Sequence, residues 1–240
     1  MTKEKNPPAH GSKEFLELVN KNESSQKISR IKNMQAKLRA VTKQHFRIAK
    51  EQRLSALALT LTLRKGENPQ GKQISQFMDR LRKHFKGHVP VLPYTWVLEK
   101  GGQFHYHLTV WLPRGKKISH ADLERWWPHG FTHTEMCRDP EGWTRYMRKS
   151  PTKDDLPKGM RAYGYGGMDP DAKVAVHDQC LPQWVKKMAP FLSSLRRCPG
   201  GYIDTMNGVI YQCPVMWTSK GFVAKFSEPM RAPAPLPVTA

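Results

Sequence analysis

Leu57, Leu59, Leu61 and Leu63 alternate with Ala56, Ala58, Thr60 and Thr62, a period of two that predicts a strand with one aliphatic face and one small, hydroxyl-bearing face. The aliphatic face belongs in a core, which leaves the other as working surface. After a turn over 65–71, Ile74, Phe77, Met78, Leu81 and Phe85 fall at helical spacing, so an amphipathic helix ending near Gly87 is expected to pack back on that strand. A second strand is read over 91–99, with Pro90 and Pro93 near its start, and a third over 103–112. The turn Lys100-Gly101-Gly102 between them makes a hairpin. Further on, 119–128 reads as a short helix with Trp126 and Trp127, and 131–137 as a short strand. Asp139 then reads as an N-cap with Pro140 in the first helical position and Pro151 as the stop. The remainder, through the glycines at 164, 166 and 167, reads as loops closed by a final hairpin from Tyr202 to Tyr211.

The hairpin carries the candidate chemistry. With a three-residue loop and Gly102 left-handed, Glu99 faces Gln103, and the pleat puts Glu99, His105 and His107 on one side. Tyr94, Trp96 and Leu98 then share the other side with Phe104, Tyr106, Leu108 and Val110. A two-residue loop would flip Glu99 away from the histidines. A His-x-His pair is a weak signal by itself, but two imidazoles and a carboxylate on one strand face form a metal-ligand set with open positions for a substrate oxygen. Surface histidines in a hairpin are the plain alternative. On the helix starting at Pro140, Trp143, Tyr146, Met147 and Ser150 share a face, and Lys149 follows Tyr146 by one turn. A tyrosine beside a tryptophan is ordinarily core. As a nucleophile its phenol, with a pKa near 10, needs a base or a polarised electrophile.

Charge changes the picture of the partner. The 240 residues carry 40 Lys and Arg against 20 Asp and Glu, a formal net charge of +20, and a polyanion is the natural counterpart to such self-repulsion. Residues 13 to about 53 have helical potential but are rich in cations, so 1–53 is expected to be a basic arm, partly helical or disordered. Its expected DNA contacts are Lys27, Arg30, Lys32, Lys37, Arg39, Lys43 and Arg47, joined by Arg145 and Arg148 beside Tyr146. On this reading the arm governs affinity and not chemistry, although Leu38 and other apolar residues in it leave packing on the sheet as an alternative. The working domain is placed at 54–225, and 226–240, with Pro229, Pro233, Pro235 and Pro237 in it, is expected to be a disordered tail. Cys137, Cys180, Cys198 and Cys213 form no C-x-x-C pair, which argues against zinc-ribbon and thioredoxin-like readings. There is no apolar leader or membrane-length run, so a cytoplasmic location in a bacterial host is expected.

The order of an L-T-L-T strand, then W-V-L-E-K-G-G-Q-F-H-Y-H-L-T-V-W-L-P, then R-Y-M-R-K resembles the three motifs of HUH endonucleases, particularly rolling-circle replication initiators of plasmids and filamentous phages. The resemblance runs from about 54 to 225 and takes in W-P-H-G at 127–130, P-K-G-M-R-A-Y-G at 157–164 and P-G-G-Y at 199–202. It implies an α+β fold, a central antiparallel sheet with flanking helices like the RNA-recognition motif. It also implies Mg²⁺ or Mn²⁺ on Glu99, His105 and His107, Tyr146 as the nucleophile and Lys149 as the lysine that contacts DNA or orients the site. Ser150 stands where some relatives have a second tyrosine, which favours a single-tyrosine enzyme. The implied reaction is transesterification on single-stranded DNA, with an origin hairpin as substrate and the host replication machinery as a further partner. A transposase or relaxase would use the same site on other DNA. A non-catalytic binder stacking bases on Tyr163 or Tyr202, and a hydrolase using water, are the readings from other classes.

Overall fold

In the computed structural model the described residues are 13–147, 156–157, 159–218 and 221–224, with side chains described from residue 29 to 215 within these ranges and at Val223. The chain divides into two compact units, Met1–Asp169 and Pro170–Ala240, where the sequence reading has an arm followed by one domain over 54–225. The expected tail over 226–240 lies outside the described residues.

The first unit is built on a five-stranded sheet in the order β4-β1-β3-β2-β5, every neighbour antiparallel. Its strands are β1 (Leu54–Thr62), β2 (Tyr94–Gly101), β3 (Gln103–Pro113), β4 (Thr132–Met136) and β5 (Tyr163–Gly166). Four helices accompany them: α1 (Lys13–Glu51), α2 (Gly71–His84), α3 (His120–Trp126) and α4 (Pro140–Met147). This is the expected α+β architecture of an antiparallel sheet flanked by helices. Strand β2 starts at Tyr94, after both prolines, since a proline cannot donate to the ladder.

The two faces of the sheet divide as the alternation predicts. Leu59, Leu61, Leu63, Trp96, Leu98, Phe104, Tyr106, Leu108 and Val110 meet Ile74, Phe77, Met78 and Leu81 of α2 and Leu123 and Trp126 of α3 in the main core. Phe77, Leu81, Leu59 and Leu61 are fully buried, each contributing roughly 1.5–3 kcal/mol by leaving water. Helix α3 is capped by Ser119, whose hydroxyl accepts from the Asp122 N–H at 3.1 Å.

The other face carries α1 and α4, and here the structure departs from the arm reading. Met34 and Leu38 of α1 pack with Val97 of β2 and Met147 of α4, Ala49 packs with Leu54, Ala56 and Trp111, and Val41 and Ile48 are fully buried. Met34, Leu38, Val41, His45 and Ile48 recur at three-and-four spacing, a buried stripe that the surrounding lysines and arginines conceal in the sequence.

Strand β5 corrects the loop reading of the glycines at 164 and 166. It pairs with β2, Gly164 opposite Trp96 and Gly166 opposite Tyr94. A Cβ at Gly164 would lie 2.4 Å from the Trp96 ring and one at Gly166 2.6 Å from Tyr94. Two strand positions are therefore bare so that two aromatic rings can cross them.

The second unit holds α5 (Pro170–Cys180), α6 (Gln183–Met188), a three-stranded sheet of β6 (Leu195–Cys198), β7 (Gly201–Asp204) and β8 (Ile210–Gln212), and a ribbon of β9 (Val215–Thr218) and β10 (Gly221–Ala224). Leu181, Val185, Ala189, Leu195 and Tyr211 form its core. The expected final hairpin is present as β7 and β8, with Tyr202 opposite Tyr211; the two helices before it replace what was read as loop. All four cysteines are free thiols. Among the described residues no helix is long and apolar enough to cross a membrane.

Candidate metal centre and nucleophile

Strands β2 and β3 bring the hairpin residues together with a register that differs from the expected one by two residues. Glu99 faces His105 and Gly101 faces Gln103, with Gly102 at φ 79° taking the left-handed corner. A two-residue shift leaves the parity of the pleat unchanged, so Glu99, His105 and His107 still share a face. Their ligand atoms all lie within 4.8 Å of one another. Glu99 Oε2 is 3.3 Å from His107 Nε2 and 3.8 Å from His105 Nε2.

The outer nitrogens of both rings are engaged. His105 Nδ1 donates to the Gln103 carbonyl at 3.1 Å, which leaves an Nε2 lone pair on the side of Glu99. His107 Nδ1 is 3.2 Å from the Thr60 hydroxyl, from the residue opposite it on β1. Burial, reinforced by neighbouring His105, lowers the His107 pKa, with Glu99 opposing, so the ring is held neutral. His107 Nε2 is buried and makes no hydrogen bond. A neutral imidazole lone pair 3.3 Å from a carboxylate oxygen is repulsive with nothing between them, and a cation converts that repulsion into shared ligation. The residues therefore fit a divalent metal: two imidazole nitrogens and one carboxylate, with open positions.

Helix α4 sets Tyr146 over this face. Its first turn is fixed by Asp139, whose carboxylate accepts from the Gly142 N–H at 2.8 Å, the expected N-cap. Trp143 donates through Nε1 to the Leu108 carbonyl at 3.2 Å, stands edge-on to His107 with ring centroids 5.4 Å apart, and stacks on Tyr146 at 5.4 Å. The Tyr146 ring is 5.7 Å from that of His107, and the residue is 50% exposed. The phenol is thus beside the ligand cluster and open to a substrate. Thr60 and Trp143 were missed as site residues, though Thr60 stands on the hydroxyl face of the alternating strand and Trp143 on the Tyr146 helix face.

Lys149 and Arg148 lie outside the described residues. Among the expected DNA contacts, Arg30, Lys32, Arg39, Lys43 and Arg145 are exposed and Lys37 is half-buried, while Lys27 is in α1. Arg47 is committed elsewhere: its guanidinium holds Asp169 at 2.7 and 2.8 Å and Glu51 at 3.0 Å.

Residues 56–151 match the family model of the ORF2-type replication-associated proteins, a match that supports a replication initiator and takes in the metal-ligand set and Tyr146. No curated protein matches the chain. Among solved structures, the chain is similar to the crystal structure of the hypothetical protein ORF119 from Sulfolobus islandicus rod-shaped virus 1, at 21% identity and a TM-score of 0.37, over 50% of this chain and 97% of that one. At that score the likeness bears on neither fold nor function.

Proposed function

We propose that this chain is a rolling-circle replication initiator, a single-tyrosine nickase of the HUH type that cuts and rejoins single-stranded origin DNA. The observation that supports it most is the placement of a half-exposed tyrosine, its ring 5.7 Å from a histidine that is itself part of a two-histidine, one-carboxylate cluster. Glu99, His105 and His107 would hold Mg²⁺ or Mn²⁺, which when bound supplies charge neutralisation and orientation at the scissile phosphodiester. Tyr146 Oη attacks phosphorus, the bond from phosphorus to the 3′-oxygen breaks, and the phenolic proton is balanced by the one that the departing oxygen gains. The products are a 5′-phosphotyrosine and a free 3′-hydroxyl. The phosphodiester energy is kept in the protein link, so the reverse attack by a 3′-hydroxyl reseals a strand. Trp143 keeps the phenol in place, and Thr60 with the Gln103 carbonyl keeps the two imidazoles turned toward Glu99. Lys149 is assigned to DNA contact, and the exposed cations of α1 and α4 to the phosphate backbone.

Incubation with end-labelled single-stranded DNA from the parent replicon, with Mn²⁺ or with chelator, tests the reading on a denaturing gel. A labelled band at the protein's mass that chelator removes is expected. A bound but never covalently joined strand would instead fit a nucleic-acid-binding protein without chemistry.

A further inference from the structure

The W-P-H-G segment at 127–130 serves none of the steps above, yet it is tightly built. Trp127 is buried and donates through Nε1 to the Thr62 carbonyl at 3.0 Å, the Arg64 N–H donates to the His129 carbonyl at 2.9 Å, and the Arg64 guanidinium donates to the Pro128 carbonyl at 2.8 Å. At Gly130 the backbone comes so near β1 that a Cβ would stand 2.1 Å from the Thr62 oxygen. The residue that follows, Phe131, accepts through its carbonyl from the Thr62 N–H at 2.8 Å, and its side chain is largely bare, the residue being 78% exposed. A pinned backbone thus presents an aromatic ring to water, a cost that ordinary folding gives no reason to accept.

Register shows which side it is on. Thr60 faces His133 of β4 and Leu61 faces Thr132, so the Thr62 to Phe131 hydrogen bond continues the same ladder. Thr62 in turn faces His105, which faces Glu99. Glu99, His105, Thr62 and Phe131 therefore form one row across four strands, and paired residues share a face. His107, Thr60 and the exposed His133 form the next row. Two strand spacings separate Phe131 from His105, about 10 Å, with the small side chain of Thr62 between them.

We propose that Phe131 is the stacking platform for a base of single-stranded DNA close to the phosphate held at the metal cluster, with His133 beside it on the same strand. The proposal rests on the nickase reading for its ligand and on the exposed ring, the pinned backbone and the shared row for its place. An aromatic face binds any base through its π surface, and a chain of net charge +20 supplies the phosphate attraction that brings the strand there. Phe131 fixes where the strand lies without acting on the reacting atoms.

The test uses the full chain with two fluorescein-labelled probes, a short oligothymidine and an oligomer of the same length made of abasic sugar-phosphate units. Phe131→Ala is expected to weaken oligothymidine binding about tenfold, the weight of one lost base stack, and to leave the abasic probe unchanged. Phe131→Trp should bind oligothymidine at least as well as wild type. Equal affinity of Phe131→Ala and wild type for oligothymidine would overturn the proposal, as would an equal loss on both probes, which would mean a backbone contact. The ring is exposed, so folding should survive either change, and the Trp variant reports on the platform even if the Ala variant is poorly behaved. Adduct formation by wild type is read separately: its absence removes the nickase reading, whereas an unchanged Phe131→Ala affinity removes the stacking site alone.

Discussion

His107 Nδ1 lies 3.2 Å from the hydroxyl of Thr60, the residue opposite it on β1. This contact fixes which nitrogen of His107 is offered to the cluster. Thr60→Val keeps the shape of the strand and removes the hydroxyl, so Mn²⁺ affinity measured by isothermal titration should fall roughly 10- to 100-fold. His105→Ala, His107→Ala and Glu99→Ala should each lower it further, since each removes a ligand. Unchanged affinity in Thr60→Val would show that Thr60 plays no part in holding the ring.

Trp143 touches both the ligand cluster and the nucleophile's ring. Trp143→Ala is expected to lower the nicking rate about 100-fold at saturating DNA and metal, the scale of a nucleophile misplaced by about 1 Å. Mn²⁺ affinity should stay within a few fold of wild type, and Trp143→Phe should recover most of the rate. A variant that loses metal and rate in proportion would make Trp143 a support of the metal site alone.

Helix α1 makes a stability prediction that reverses the one from charge. Leu38 is fully buried against Val97 and Met147, so Leu38→Ala should cost about 2–5 kcal/mol in urea unfolding. Deleting residues 1–50 removes Met34, Leu38, Val41, Ile48 and Ala49 from the core and should leave a chain that melts far lower or does not fold. A truncated protein that melts with the full chain would restore the reading of this segment as an arm.

What the sequence makes legible here follows from where side chains report on their surroundings. The Leu and Thr alternation of β1 announces two unlike faces, and both are found. The hairpin parity is legible, but Lys100, Gly101 and Gly102 offer several corners, and only the backbone shows that Glu99 meets His105 and not Gln103. Strand β5 is invisible to a hydrophobic pattern because its inward positions are glycines that make room for Trp96 and Tyr94. The buried stripe of α1 is readable at helical spacing, yet its cations dominate the composition. Proximity of Tyr146 to His107 spans 39 residues of chain by their numbering, and local spacing holds no record of it.

His45 gives a pH signature. It is buried in α1, with Nε2 2.9 Å from the Gly166 carbonyl, and burial pushes its pKa down from 6.5 to about 4, with that carbonyl opposing. Between those two values the unfolded chain binds a proton that the folded chain refuses, so stability rises with pH there. The contribution is intact above about 6.5 and is lost as pH falls toward about 4, on the order of 3 kcal/mol in all. Urea midpoints measured across this window should fall less steeply in His45→Gln than in wild type. Parallel pH profiles would contradict the assignment.

The central claim is that Tyr146 carries the nucleophilic oxygen, and the most direct measurement is mass spectrometry of the DNA-linked peptide after protease and nuclease digestion of the adduct. A nucleotide mass is expected on the peptide containing Tyr146, with no adduct from Tyr146→Phe, which should still bind single-stranded DNA at close to wild-type affinity. A nucleotide on Tyr163, Tyr165, Tyr202 or Tyr211, or an adduct formed by Tyr146→Phe at near wild-type rate, would contradict it.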